Sequence, residues 1–192
     1  MIPPPITALT GSSVSAHYLV SDPSDKSYTG AGFKDLRIFN LVDENECALH
    51  AGGSLWACRS NLNDTSIGIE TVSLAAYNNG LFTFPPYNPV QIDAIKELAL
   101  NILQRYPDIT PVNVVGHSDI APGRKSDPGA AFPWKELYAA SIGAWFDEEI
   151  KHKYAEQNAE TVWLQHFSFR YSIKPSLNCA LPASDTSPGF SG

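Results

Sequence analysis

The 192-residue chain has no apolar run long enough to span a bilayer, so no transmembrane helix is expected. It has no basic cluster, and its net charge is −7. Nucleic acid and anionic membrane surfaces are therefore poor partners. It has no internal repeat, which excludes a solenoid or propeller. The N-terminus lacks the basic patch and long apolar stretch of a secretory leader. That leaves two expectations, a cytoplasmic protein or a truncated or mature form. Cysteine is scarce and odd in number: Cys47, Cys58 and Cys179, with no CxxC or Cys/His spacing of a metal knuckle. Cys47 and Cys58 are close enough in sequence to pair in an oxidising compartment, but buried free thiols are the expected state.

What is present suits a packed domain. Hydrophobic residues make up 43% of the chain and aromatics 11%, and the length fits one domain with an appendage. Short apolar runs at 13–20, 37–42, 66–72 and 112–116 read as strands, the last bounded by Pro111 and Gly116. Residues 22–35 and 50–65 read as loops. The helix signal is strongest over 89–105. Asn88 fits the N-cap, Pro89 the first turn and Gln91 the third position of a capping box. Ile92, Ile95, Leu98, Ala99, Ile102 and Leu103 form one apolar stripe. Further helices are expected from about 134 to 140 and over 147–157. Strands alternating with helices predict an α/β fold, a mixed central sheet flanked by helices. The Ser/Pro/Gly-rich end from about 180 reads as a disordered tail.

The chemistry concentrates in His117-Ser118-Asp119-Ile120-Ala121-Pro122-Gly123-Arg124-Lys125-Ser126-Asp127. A loop of this length can fold back, so that one imidazole and one carboxylate reach a single ion. These donor types suit zinc, but two of them do not complete a site. Lys125 would place a cation beside them, and Arg124 reads as a structural or surface residue. On spacing alone the segment is equally readable as a charged surface loop.

Residues 117–134, HSDIAPGRKSDPGAAFPW, resemble the signature of the zinc-dependent N-acetylmuramoyl-L-alanine amidases that cleave peptidoglycan. Three further segments are similar in the same order: 14–20 (VSAHYLV), 48–52 (ALHAG) and 63–70 (NDTSIGIE). Residues 142–145 extend the likeness toward a subgroup of envelope lipoproteins. The resemblance implies the amidase fold shared with peptidoglycan-recognition proteins. The domain would cover 1–146, incomplete at its N-terminus. Residues 147–192 would be a helix and tail, a remnant of a peptidoglycan-binding module.

The resemblance further implies that His117 and Asp127 hold Zn2+, that Glu70 is the catalytic acid–base and that Lys125 stabilises the oxyanion. His50 and Asn63 would line the groove for a peptidoglycan or muropeptide substrate. The family's first zinc ligand lies on a strand upstream of the VSAHYLV segment, and no His occurs in 1–13. The third ligand is then a missing upstream His or His17, although His17 also suits a hydrogen-bonded core position. The implied activity is hydrolysis of the bond between N-acetylmuramic acid and L-alanine, in doubt for a chain short of one ligand. The alternative is a non-catalytic peptidoglycan-binding protein on the same scaffold. The implied location is the cell envelope or periplasm if the full-length form carries a signal, with the cytoplasm left open.

Overall fold

The structure is a computed structural model that describes residues 14–79 and 81–146. The chain divides into two units at Trp145/Phe146, and every element named here belongs to the first. The expected helix at 147–157, together with His152 and His166, lies outside the described residues.

A mixed three-stranded sheet organises the fold, in the order β2-β1-β5. Strand β1 (Tyr18–Val20) pairs antiparallel with β2 (Ile38–Asn40). It pairs parallel with β5 (Ile69–Thr71), with Leu19 opposite Glu70. Two short hairpins stand apart: β3 (Leu55–Trp56) with β4 (Arg59–Ser60), and β6 (Ala76–Asn78) with β7 (Leu81–Thr83). Helix α1 (Lys26–Gly30) lies inside the expected 22–35 loop and is capped by the Asp25 carboxylate, which accepts from the Ser27 amide at 2.6 Å.

Helix α2 (Pro89–Arg105) forms where its stripe predicts and buries Ile92, Ile95, Ala99 and Ile102. Asn88 caps it by accepting from the Val90 amide at 3.1 Å. Gln91 is no capping-box partner. It is fully buried and donates from Nε2 to the carbonyl of Val72 at 2.8 Å. Its second acceptor is Val20 O at 3.4 Å. The amide thus ties the helix to the carboxyl ends of β1 and β5, a tertiary demand that overrides the local motif. Val20, Ile92, Ile95, Ala99, Leu137 and Ile142 form the main core, with Ile69 and Val114 packed against it. A second cluster holds Ala51, Leu62, Ile120 and Ala121, with Val115 at its border.

The expected strand at 112–116 is not one. Pro111–Asn113 is a 3-10 turn, and Val112 is exposed. The extended stretch at Val114 and Val115 places one valine against each cluster. The segment is strand-like in its alternation but has no strand partner among the described residues. Short helices α3 (His117–Ile120) and α4 (Trp134–Ala139) come next in the chain. The cysteines also differ from expectation. Cys47 is an exposed free thiol, and Cys58 is disulfide-bonded.

Candidate active site

The extended Val114–Val115 stretch delivers His117 to the junction of the two cores. Gly116 makes that approach possible: a Cβ there would stand 2.7 Å from Pro128 Cδ. Its amide donates to Asp119 Oδ2 at 2.8 Å, which starts α3. The loop then returns on itself. The Ser118 amide donates to Asp127 O at 2.8 Å, and His117 Nδ1 faces Asp127 Oδ2 at 3.0 Å. The other ring nitrogen, Nε2, lies 3.2 Å from Ala51 O. Both partners are acceptors, so the ring lies between a carbonyl at Nε2 and a carboxylate at Nδ1, and a metal ion on Nδ1 would leave Nε2–H to donate to Ala51 O.

Two zinc ligands at about 2.0–2.1 Å, set at the tetrahedral angle, stand roughly 3.3 Å apart. The separation of Nδ1 and Oδ2 is close to that edge, so His117 and Asp127 fit as two donors to one ion. Among the described residues no group of three His, Cys, Asp or Glu side chains is placed to hold a metal. His17 is not poised to serve. It is buried, its Nδ1 accepts from the Gly68 amide at 3.0 Å, and its Nε2 donates to Glu46 O at 3.1 Å.

Glu70, in the middle of β5, is half-buried. Burial raises its pKa above the usual carboxylate range, and the Asp127 charge raises it further, while His117 and Lys125 act against both. Those four groups therefore share one electrostatic neighbourhood. At Asp127 burial pushes upward, but the His117 hydrogen bond and a backbone bond outweigh it and leave the pKa lowered. The site thus contains one carboxyl held ionised and one biased toward holding a proton. Such a split is what acid–base chemistry uses.

His50 and Asn63 are placed by contacts within the fold. The His50 ring lies against Gly68, where a Cβ would come within 2.4 Å of it. Its Nε2 is 3.3 Å from Ser66 O, and burial lowers its pKa. Asn63 Oδ1 accepts from the Ala51 amide at 2.7 Å. Two residues at the site were not singled out from sequence. The Tyr87 hydroxyl donates to Pro128 O at 2.8 Å, next to Asp127. Arg124, read from sequence as a structural or surface residue, donates from Nη2 to Ala51 O and Gly53 O, both at 2.9 Å. Tyr87 lies far from the motif in sequence and gave no local signal, whereas Arg124 sits inside it.

The mixed sheet with its helices agrees with what comparison with known proteins finds. The chain belongs to the N-acetylmuramoyl-L-alanine amidase family, which it matches over residues 5–130. It is similar to the N-acetylmuramoyl-L-alanine amidase AmiD of Escherichia coli K12, 42% identical over 180 residues, covering 90% of this chain and 63% of that protein. Among solved structures it is similar to AmpDH3 of Pseudomonas aeruginosa in complex with an anhydromuramic pentapeptide. That match has a TM-score of 0.75 at 62% identity, and covers 81% of this chain and 61% of the other. The E. coli AmiD complex with anhydro-N-acetylmuramic acid-L-Ala-D-gamma-Glu-L-Lys matches with a TM-score of 0.65 at 45% identity, covering 75% of this chain and 54% of the other. The chain thus spans less than two thirds of the length of these relatives.

Proposed function

We propose that this chain carries the catalytic machinery of a zinc-dependent amidase that cleaves the bond between the lactyl group of N-acetylmuramic acid and L-alanine in muropeptides. The observation that carries the reading is the His117–Asp127 pair, 3.0 Å apart, beside a Glu70 whose pKa is raised by burial. His117 and Asp127 would hold the ion, with a third donor from outside the described residues. When bound, the ion supplies Lewis acidity and a water acidified to near-neutral pKa.

Glu70 then takes the proton of the attacking water as a C–O bond forms at the lactyl carbonyl carbon. The Lys125 ammonium stabilises the negative charge that develops on the carbonyl oxygen. As the C–N bond breaks, Glu70 passes its proton to the departing nitrogen of L-alanine. The products are a free carboxylate on the sugar and a free amine on the peptide. His50 and Asn63 keep their reading as lining of the substrate groove, and each is held in the fold, His50 against Gly68 and Asn63 through the Ala51 amide.

The second reading, a non-catalytic peptidoglycan-binding protein, draws on the lack of a three-donor cluster among the described residues. Incubating the purified chain with zinc and a defined muropeptide separates the two. Release of the intact stem peptide supports the amidase, and muropeptide binding without release supports the binder. A disulfide at Cys58 is of the kind that persists where the surroundings are oxidising, which supports the cell envelope or periplasm for a form that carries a signal.

A further inference from the structure

Ala51 is fully buried and its backbone is fully engaged. Its amide donates to Asn63 Oδ1 at 2.7 Å. Its carbonyl accepts from Arg124 Nη2 at 2.9 Å and faces His117 Nε2 at 3.2 Å. A carbonyl oxygen has two lone pairs, and both are used here. The same Arg124 nitrogen donates to Gly53 O at 2.9 Å, so one guanidinium nitrogen bridges two carbonyls across Gly52. Gly52 makes that contact possible. Its φ is +56°, a conformation that L side chains rarely adopt, and it turns the carbonyls of 51 and 53 toward the same guanidinium nitrogen. Arg124 itself belongs to the loop that carries Asp127, in a turn where its amide donates to Ala121 O at 3.2 Å.

From this geometry we propose that Arg124 is a positioning residue. By clamping the Ala51 carbonyl it fixes the rotation of the His117 ring, so that Nε2 is turned to Ala51 O and Nδ1 faces the metal position beside Asp127. The inference rests on the reading of His117 as a metal ligand. Its logic is that of an outer partner which orients a ligating imidazole through the nitrogen not used for ligation. The sequence reading of Arg124 as a structural or surface side chain misses this, because the residue acts through a backbone atom 73 positions away. Without the guanidinium, Ala51 O keeps only the imidazole as partner, and the 51–53 segment loses its tie to the metal loop. Asn63 would hold the amide side of the same peptide but could not hold the carbonyl.

The test compares the 192-residue chain with R124M, which keeps a long side chain without donors, and R124K, which keeps charge and donors. R124Q replaces R124M if the latter does not melt cooperatively. Zinc alone is titrated against a chelator for each form. Zinc affinity should fall on the order of 10–100-fold in R124M, with R124K recovering part of it. An R124M that melts lower but keeps the parent's zinc affinity overturns the proposal and leaves Arg124 a structural residue. Failure of the chain to cleave a muropeptide, with the loss of zinc affinity in R124M still present, counts against the amidase reading and not against the positioning role.

Discussion

At the scale of single residues, the site is built from one carboxylate held down and another pushed up, and the second has a measurable cost. Glu70 has its pKa raised by burial first and by Asp127 second. Between the ordinary and the raised value the folded chain binds more protons than the unfolded one. Stability of the metal-free chain therefore falls as pH rises through that window. E70Q removes the titration. It should match the parent below the ordinary glutamate range and exceed it at neutral pH, as read by urea unfolding at both pH values. The same substitution should lower turnover of the zinc-loaded enzyme by about 10²–10⁴-fold while zinc binding stays near normal. A variant that gains no stability and loses no activity would remove Glu70 from the mechanism. The motif made Glu70, His117 and Asp127 legible in sequence. The Ala51 carbonyl was not, since a backbone acceptor leaves no mark in residue type.

At the scale of elements, legibility followed the length of each signal. Helix α2 carries seventeen residues of consistent stripe with a capped start, and local and tertiary preferences agree over most of it. The hairpins were missed because their strands are two or three residues long. The β3–β4 turn also uses Ala57 and Cys58 at φ 46° and 69°, where the sequence signal for such a turn is Asn or Gly. The Asn79-Gly80 pair carries that signal between β6 and β7. The most heavily engaged junction lies between elements. Glu44 accepts from Tyr18 of β1 at 2.6 Å, from Tyr106 at 3.0 Å, and from Arg105 at the end of α2.

Hydrogen bonding from Arg105 is the main reason that the Glu44 pKa drops from 4.5 to about 2, with burial opposing and the two tyrosines assisting. A depressed carboxylate contributes stability above its ordinary value, and the contribution is lost as pH falls toward the folded-state value. E44Q should therefore cost on the order of 1 kcal/mol at neutral pH, as Arg105 and the two tyrosines lose a charged acceptor and solvent at the Arg105 side chain, 41% exposed, screens part of the loss. The gap to the parent should narrow on acidification from about pH 4.5 toward about 2. Paired thermal melts at neutral and acid pH read it, and a gap that does not change with pH would mean the ion pair contributes nothing through its charge.

At the scale of the whole molecule, two features carry predictions. The first is chemical. Cys47 is exposed and free, and Cys58 is bonded. Alkylation of the native protein followed by mass mapping should mark Cys47 and spare Cys58, which reacts only after reduction. Native labelling of Cys58 would show it reduced and withdraw the support it gives to an envelope location.

The second feature is the edge of the sheet. Gly68 O accepts from the Tyr18 amide and the Val72 amide donates to Val20 O, both at 3.1 Å. By alternation, 68, 70 and 72 face β1, while Ile69 and Thr71 turn their backbone groups the other way. No strand among the described residues lies on that side. Ile69 and Val114 nevertheless pack against the same core, so the layer continues from β5 toward the segment that leads to His117. A strand between them would run alongside Glu70 and end near the His117–Asp127 pair. A His on it would supply the third donor that the family resemblance implies and the described residues lack. With only the donors of the described residues, the 192-residue chain should then bind zinc weakly and cleave muropeptides poorly, because two ligands fall short of the three that a catalytic site uses. A form extended at its N-terminus by a strand carrying a His should recover both. Assaying the two side by side, with metal analysis on each, decides the matter. Stoichiometric zinc and a normal rate from the short chain alone would place the third ligand within it. His50 would then be the residue to examine, since both ring nitrogens of His17 are already committed.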